Sequence, residues 1–381
     1  EVERASKLFK TVGLGKKIAR VESFEDDIVY SGTTHAEFAR ELTGRTIDNV
    51  GRYGKVFYLE LSGEGRMPVM HFGMTGMLQV KGQMATYYRE TPRTASTDWP
   101  PRFVKFILHL ETVSDASPTD VIELAFLDAR RLGRIRLCSS PTKEPPISEL
   151  GFDPILSMPP LEEFLRLVVK RSCPIKALLL DQSFSAGVGN WVADEILYHS
   201  HVHPEQRCNT LTKEQVMALR EKMSYVCETA VEANADDTKF PDNWLFKHRW
   251  GKGKKVSHNL ALVGLELLCC KYNHPSGEPA TIKWITVGGR TSAFVLELQN
   301  VPSGLATSRK RAQRREKVRA CPCVTCDVFT FLSIQKTKVE DDSDLPPLTE
   351  SESEEPPTKR LVCYIRRNVN DANTVLLDSI S

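Results

Sequence analysis

Thirty consecutive residues, Ile175 to Pro204 (IKALLLDQSFSAGVGNWVADEILYHSHVHP), restrict the possible folds more than any other stretch of this chain. They spell helix, tight glycine turn, helix. Leu178, Leu179 and Leu180 make an apolar run that stops at Asp181-Gln182. Ser183 to Gly189 has turn chemistry, since Gly187 and Gly189 accept positive φ without a Cβ clash. Asn190 is expected at the N-cap of the second helix, with Asp194 and Glu195 in its first turn. Backbone N–H groups at such a helix start have no partner within the helix and suit a phosphate oxygen. Taken alone, GVGN also fits an ordinary helix hairpin, so the phosphate reading needs support from elsewhere in the chain.

The flanking sequence supplies context. Residues 1–19 carry Val2, Ala5, Leu8, Phe9 and Val12 at helical spacing, and a helix is expected there, already under way at Glu1. From Val21 to Cys138 the pattern becomes short β-rich runs, 56–61, 68–72, 77–82, 102–110, 121–128 and 133–138, parted by Gly, Pro or Asp. Runs of that kind predict a β-sandwich or barrel. Residues 139–146 are expected to link this unit to helices running from Leu161 to Ala233. Beyond them, TIKWITVGGRTSAFVLELQ predicts a β-hairpin turning at Gly288-Gly289, preceded by an apolar stretch, 256–275, that lies between two basic ones.

Charge excludes little in total but much in detail. The 381 residues carry a net +2, yet seven of the eleven residues from Arg309 to Arg319 are Lys or Arg, and Glu340–Glu355 is acidic. A basic segment of that kind favours a polyanion. Residues 301–381 are expected to be a disordered, charged tail. Ten cysteines without regular spacing fit a reducing compartment better than a disulfide framework. No apolar run approaches the ~20 residues of a membrane span. The chain is expected to be soluble and intracellular.

Five local patterns, in order, sharpen the picture: EVERA (1–5), GRYGK (51–55), HFGMTGML (71–78), LDARRLGR (127–134), and the central helix–turn–helix followed by GGRTSA (288–293). Together they make the chain resemble the formamidopyrimidine-DNA glycosylase (Fpg/MutM and Nei) family over roughly its first 300 residues. The resemblance implies an α+β protein. An N-terminal helix and β-sandwich (1–138) would be joined to a helical domain with a helix–two-turn–helix (147–240). A β-hairpin finger (241–300) would complete it, with 256–275 as an apolar insertion outside its working part. The implied activity is removal of oxidised bases from double-stranded DNA, with abasic-site lyase activity. The implied protein is a monomer acting without cofactor, metal or membrane, in the nucleus, with an organelle as the other expected location.

The same resemblance assigns roles. Lys55 is expected at the damaged nucleotide, contacting phosphate and assisting proton transfer, although a surface lysine would look the same in sequence. Met74, between Gly73 and Gly76, and Arg130 are expected to fill the gap left by a flipped base, a gap that costs a few kcal/mol of stacking. Leu132 stands where the family usually has an aromatic. Gly189 and Asn190 match the phosphate grip, Lys176 and Arg171 are further candidate phosphate contacts, and Arg290 matches the finger arginine, whose guanidinium fork suits two phosphate oxygens. Glu195 is expected to be structural, holding the helix pair or the N-terminal segment.

Two departures qualify the match. Bacterial members bind zinc through two Cys-x-x-Cys pairs; between Trp244 and Gln299 this chain has only Cys269 and Cys270, which points to the zincless-finger branch of plants and fungi. Cys321, Cys323 and Cys326 in the tail are expected to be adventitious. In the family, Pro-Glu-Leu-Pro stands just before the Glu-Val-Glu seen here at residues 1–3, and the proline amine is the nucleophile. The chain is therefore expected to be an N-terminally truncated member that would be inactive as it stands. The alternative is a catalytically inactive protein that binds damaged or abasic DNA. A ribosomal-type helix–two-turn–helix module is a third possibility, against which Lys55, Met74 and Arg130 argue.

Overall fold

A computed structural model describes residues 1–83, 98–112, 121–251, 271–273 and 279–300. Helix α1 (Val2–Gly13) leads into strand β1 (Lys16–Ser23), helix α2 (His35–Leu42) and strands β2 (Ile47–Tyr53), β3 (Val56–Leu61), β4 (Met67–His71), β5 (Met77–Val80), β6 (Val104–Thr112), β7 (Ile122–Leu127) and β8 (Arg134–Cys138). The strands form two four-stranded antiparallel sheets, ordered β1-β6-β7-β5 and β2-β3-β4-β8. One core lies between them, where Ile18, Phe106, Leu108 and Phe126 of the first sheet meet Val50, Phe57, Leu59 and Ile135 of the second. Phe9 of α1 reaches the same core and packs on Phe57. Strand β3 shows the period-two logic of a strand buried on both faces. Phe57, Leu59 and Leu61 enter the sandwich core, while Val56 and Tyr58 face a second cluster with Val69, Cys138 and Ile147.

The helical domain comprises α3 (Leu161–Val169), α4 (Ile175–Leu180), α5 (Asn190–His199) and α6 (Lys213–Glu232). Its core joins Phe164, Leu179, Val188, Ile196, Leu219 and Met223 to Trp244 from the segment that follows α6. Thr212 caps α6 through a complete capping box with Gln215. Strands β9 (Lys271–Asn273), β10 (Pro279–Val287) and β11 (Arg290–Val295) form the last sheet, ordered β11-β10-β9.

Several expectations need correction. The N-terminal helix ends at Gly13, not residue 19, and Lys16–Ser23 is a strand paired with β6. A bulge between Ile18 and Arg20 breaks the alternation that would have marked it. The run of strands after Val21 is interrupted by α2, whose N-cap Thr34 accepts from Glu37 N–H. That Thr-x-x-Glu signal stood in the sequence. Asn190 is not the N-cap of α5: Gly189 holds that place, in extended backbone, and Asn190 is the first helical residue. Asp194 and Glu195 accordingly fall in the second turn. Part of the apolar stretch 256–275, Lys271–Asn273, is strand β9 and pairs with β10, so that part belongs to the hairpin's sheet. The rest of the stretch, with Cys269 and Cys270, and the tail 301–381 lie outside the described residues.

Candidate active site and nucleic-acid interface

The β2–β3 turn meets the two-turn between α4 and α5. Gly54 takes φ +58° in the first and Gly187 φ +100° in the second. A Cβ on Gly54 would stand 2.9 Å from Ala186 Cβ and 3.1 Å from Gly187 N, so the two backbones touch. Asp153, only 1% exposed, holds the contact. Its carboxylate accepts from Gly54 N–H at 2.8 Å, from the Arg52 guanidinium, and from the N–H groups of Ile155 and Leu156. Arg52 also bonds Glu3 of α1 at 2.6 Å. The two-turn is braced from within by Gln182, whose amide donates to Val188 O and accepts from Gly187 N–H.

This packing places Lys55. Its Nζ donates to Val188 O at 3.1 Å and lies beside Gly189. Burial pushes its pKa down to about 8; the Glu1 carboxylate pulls it up, and the Arg290 guanidinium pushes it down again. Lys55, Glu1, Arg290 and the start of α5 thus share one neighbourhood. Because the folded pKa lies below the unfolded value, the unfolded chain holds more protons between about pH 8 and 10.5, and stability rises with pH across that window. The expected result for reductively ¹³C-methylated protein is a Lys55 NMR titration with its midpoint near 8. A midpoint above 10 would show that the amine is open to water.

Sequence reasoning missed His71, though it opens the HFGMTGML motif. Burial first, then the charges of Lys55, Arg134 and Arg136, lower its pKa to about 4, so the ring is neutral at pH 7. Nδ1 accepts from Gly73 N–H at 3.1 Å, which leaves Nε2–H as a donor.

A second constellation forms where the β4–β5 and β7–β8 loops meet. Asp128, fully buried, accepts from Thr75 Oγ1 at 2.8 Å and from the N–H groups of Arg130 and Gly133. A Cβ on Gly73 would come within 2.4 Å of the Leu132 carbonyl carbon, so the loops are in contact. Met74 and Leu132 project from this joint, 47% and 40% exposed, with Arg130 half-buried beside them. The neighbouring Arg131 turns away at φ +57° to engage Asp26. Sequence patterns named Met74, Arg130 and Leu132; nothing local announced Asp128 as the residue that joins their loops.

Arg290 is exposed at the start of β11, directly after Gly288 and Gly289 in the left-handed region, and pairs with Val287 as the sequence predicts. The hairpin tip rests on α4, where a Cβ on Gly288 would approach Ala177 Cβ to 3.1 Å. Lys176 does not join this surface. Its side chain is 0% exposed and donates to Asp194 Oδ1 and Asn190 O, so it is no phosphate contact; it looked like one because a buried lysine has no sequence signature. Arg171 is exposed just beyond α3, near enough to Cys208 for its charge to act on that thiol. Glu195 is buried and structural, accepting from Leu245 N–H and Phe246 N–H and standing 3.0 Å from His199 Nε2 of its own helix, so it anchors the segment after α6.

Two family models match the chain, the formamidopyrimidine-DNA glycosylase N-terminal domain over residues 1–135 and the formamidopyrimidine-DNA glycosylase H2TH domain over 150–242. The formamidopyrimidine-DNA glycosylase of Arabidopsis thaliana is 37% identical over 319 residues, covering 84% of this chain and 73% of that protein. The enzyme of the same name from Thermomicrobium roseum is 31% identical over 268 residues, 68% of this chain and 83% of its own length. Among solved structures, Lactococcus lactis formamidopyrimidine-DNA glycosylase bound non-covalently to abasic-site DNA matches with TM-score 0.57 at 21% identity, over 79% of this chain and 98% of that one. MutM in complex with DNA containing carbocyclic 8-oxoguanine matches at 0.59 and 21% identity with the same coverage. At that identity the structural likeness establishes the fold; the Arabidopsis match carries the family. This chain belongs to the formamidopyrimidine-DNA glycosylase family.

Proposed function

We propose that this protein excises oxidised bases from double-stranded DNA and then cleaves the strand at the resulting abasic site. The observation that carries this reading is the convergence of Lys55, the Gly189–Asn190 helix start and Arg290 beside Glu1, where the chain enters the sandwich. With Pro-Glu-Leu-Pro in front of Glu1, a secondary amine would reach this neighbourhood. The amine attacks C1′, the N–C1′ bond forms as the glycosidic bond breaks, the base leaves with the proton supplied by the adjacent glutamate, and the amine's own proton passes to the carboxylate so formed. Ring opening, with that proton delivered to O4′, yields an iminium. Loss of a C2′ proton then expels the 3′ phosphate, a transfer in which the Lys55 amine, with its pKa of about 8, is suited to act.

Other residues serve binding. The positive end of α5 and the Arg290 fork hold phosphates flanking the lesion. Met74, Arg130 and Leu132 occupy the space vacated by the flipped nucleotide. Two cysteines cannot complete a four-thiolate site, so we assign the finger to the zincless type, and we place the protein in the nucleus. The complexes of the bacterial relatives with abasic and 8-oxoguanine DNA support this substrate class.

Borohydride trapping tests the reading. The polypeptide carrying Pro-Glu-Leu-Pro before Glu1 is expected to form a stable covalent adduct with oligonucleotides containing 8-oxoguanine, formamidopyrimidine or an abasic site, and the polypeptide starting at Glu1 none. Tight binding without any adduct from the extended chain would favour a non-catalytic lesion-binding protein. Trapping by the shorter chain would assign the attack to another amine, with Lys55 the first candidate.

A further inference from the structure

Asp194, on α5, is completely buried, and groups from three other parts of the chain converge on its carboxylate. Lys176 of α4 donates to Oδ1, as does the Ser292 hydroxyl of β11 at 2.7 Å. Arg249, from the segment after α6, donates through Nη2 to Oδ2 at 2.9 Å, and Ala293 N–H donates to the same oxygen at 3.1 Å. Lys176, Arg249 and Ser292 are at most 2% exposed. The cluster extends outward at two points. Lys176 Nζ also donates to Asn190 O at 2.8 Å, and Arg249 O accepts from the Trp284 indole of β10 at 2.9 Å.

Desolvating one carboxylate and two cations costs about as much as their attraction returns, so stability is a weak reason for such a cluster. Its directional bonds do something an apolar filling does not: they fix where each element sits. Ser292 stands two residues from Arg290, a lever of roughly 7 Å along a strand. Asn190 stands four residues from Asp194, a lever of roughly 6 Å along a helix. The van der Waals contact of Gly288 on Ala177 limits how closely the hairpin tip approaches α4 but leaves it free to slide.

We propose that Asp194 is a positioning residue for phosphate binding, locking the strand that presents Arg290 to the helix start that presents Gly189 and Asn190. The two anion-binding groups then act as one preorganised unit, and less of the ordering cost is left for the moment of binding. The proposal rests on the reading that Arg290 and the start of α5 contact DNA phosphate.

A double-mutant cycle tests it. Asp194→Asn keeps the side-chain volume and one acceptor but turns an amide N–H toward a cation. On the otherwise unchanged, Pro-extended chain it is expected to weaken binding to an abasic-analogue duplex about tenfold, and on an Arg290→Ala background less than twofold. Ser292→Ala removes one bond from the hairpin and leaves the buried charges in place. It should repeat the pattern at about threefold and serves if Asp194→Asn does not fold. The ¹⁹F resonance of 5-fluorotryptophan at position 284 reports hairpin position without DNA and is expected to shift in both variants. Equal losses on both backgrounds with an unmoved Trp284 resonance would overturn the proposal. An extended chain that does not prefer lesion duplex over undamaged duplex would instead count against the repair function, while the cycle on undamaged duplex and the Trp284 resonance still decide the role of Asp194.

Discussion

Asp153→Ala is expected to destabilise the protein by about 3–5 kcal/mol, the usual cost of leaving one partner of a buried ion pair behind. The carboxylate is 1% exposed and the Arg52 side chain 8%, so water does not replace the lost interaction. Arg52 would keep Glu3, but Gly54 N–H, Ile155 N–H and Leu156 N–H would lose the acceptor they share. Each such loss is worth about 1–3 kcal/mol where the group is buried, and because all arise at one centre they do not add fully. Asp153 also joins the β2–β3 turn to the helical domain, so the effect should be visible in cooperativity. Urea unfolding followed by a sandwich probe and by a helical-domain probe should coincide in the parent chain and separate in the variant. A loss below 1 kcal/mol with coincident transitions would mean that apolar packing, not Asp153, couples the domains.

Gly54→Ala is expected to cost about 2–5 kcal/mol and to displace Lys55. Roughly 1–2 kcal/mol comes from placing a Cβ in the left-handed region, where Gly54 has φ +58°. A further 1–3 kcal/mol comes from overpacking, since the new methyl meets Ala186 Cβ and the Gly187 backbone at about 3 Å. Neither neighbour can rotate away. Gly32→Ala provides the control: Gly32 has φ +75°, but a Cβ there would meet nothing within 4 Å, so only the backbone cost applies. In Gly54→Ala the Lys55 amine should leave Val188 O, and its titration should return from about 8 toward the ordinary lysine value. Equal costs for the two alanine variants, with the Lys55 titration unchanged, would show that the junction yields and that Gly54 is needed only for its turn.

Much of the architecture was legible in the order of residues. Six strands of the sandwich, the helices of the second domain and the Gly288-Gly289 hairpin announce themselves by alternation, helical spacing and glycines at left-handed positions. Those are local signals, because neighbours a few residues apart carry them. Met74 could be singled out from its glycine-bounded loop, whereas Leu132 entered only through the motif that carries the family resemblance. Strand β1 escaped because its bulge and its single fully buried residue erase the alternation, and α2 because its Thr34–Glu37 signal lay within a region dominated by strands.

What the tertiary structure alone decided is which distant side chains meet. Lys176 and Lys55 are both lysines beside helix or turn signals, yet one lies sealed under Asp194 and the other borders the junction with a lowered pKa. Asp153 finds Arg52 across 101 residues, and Asp194 finds Ser292 across 98. A carboxylate that will bind a partner a hundred residues away has no local pattern to mark it. Burial, and with it the strength of every charge in the site, is a property of packed elements. The sequence by itself determined most of the elements, the turn chemistry and the family; packing determined which charges are buried, how they pair, and therefore how Arg290, Asn190 and Lys55 stand toward one another.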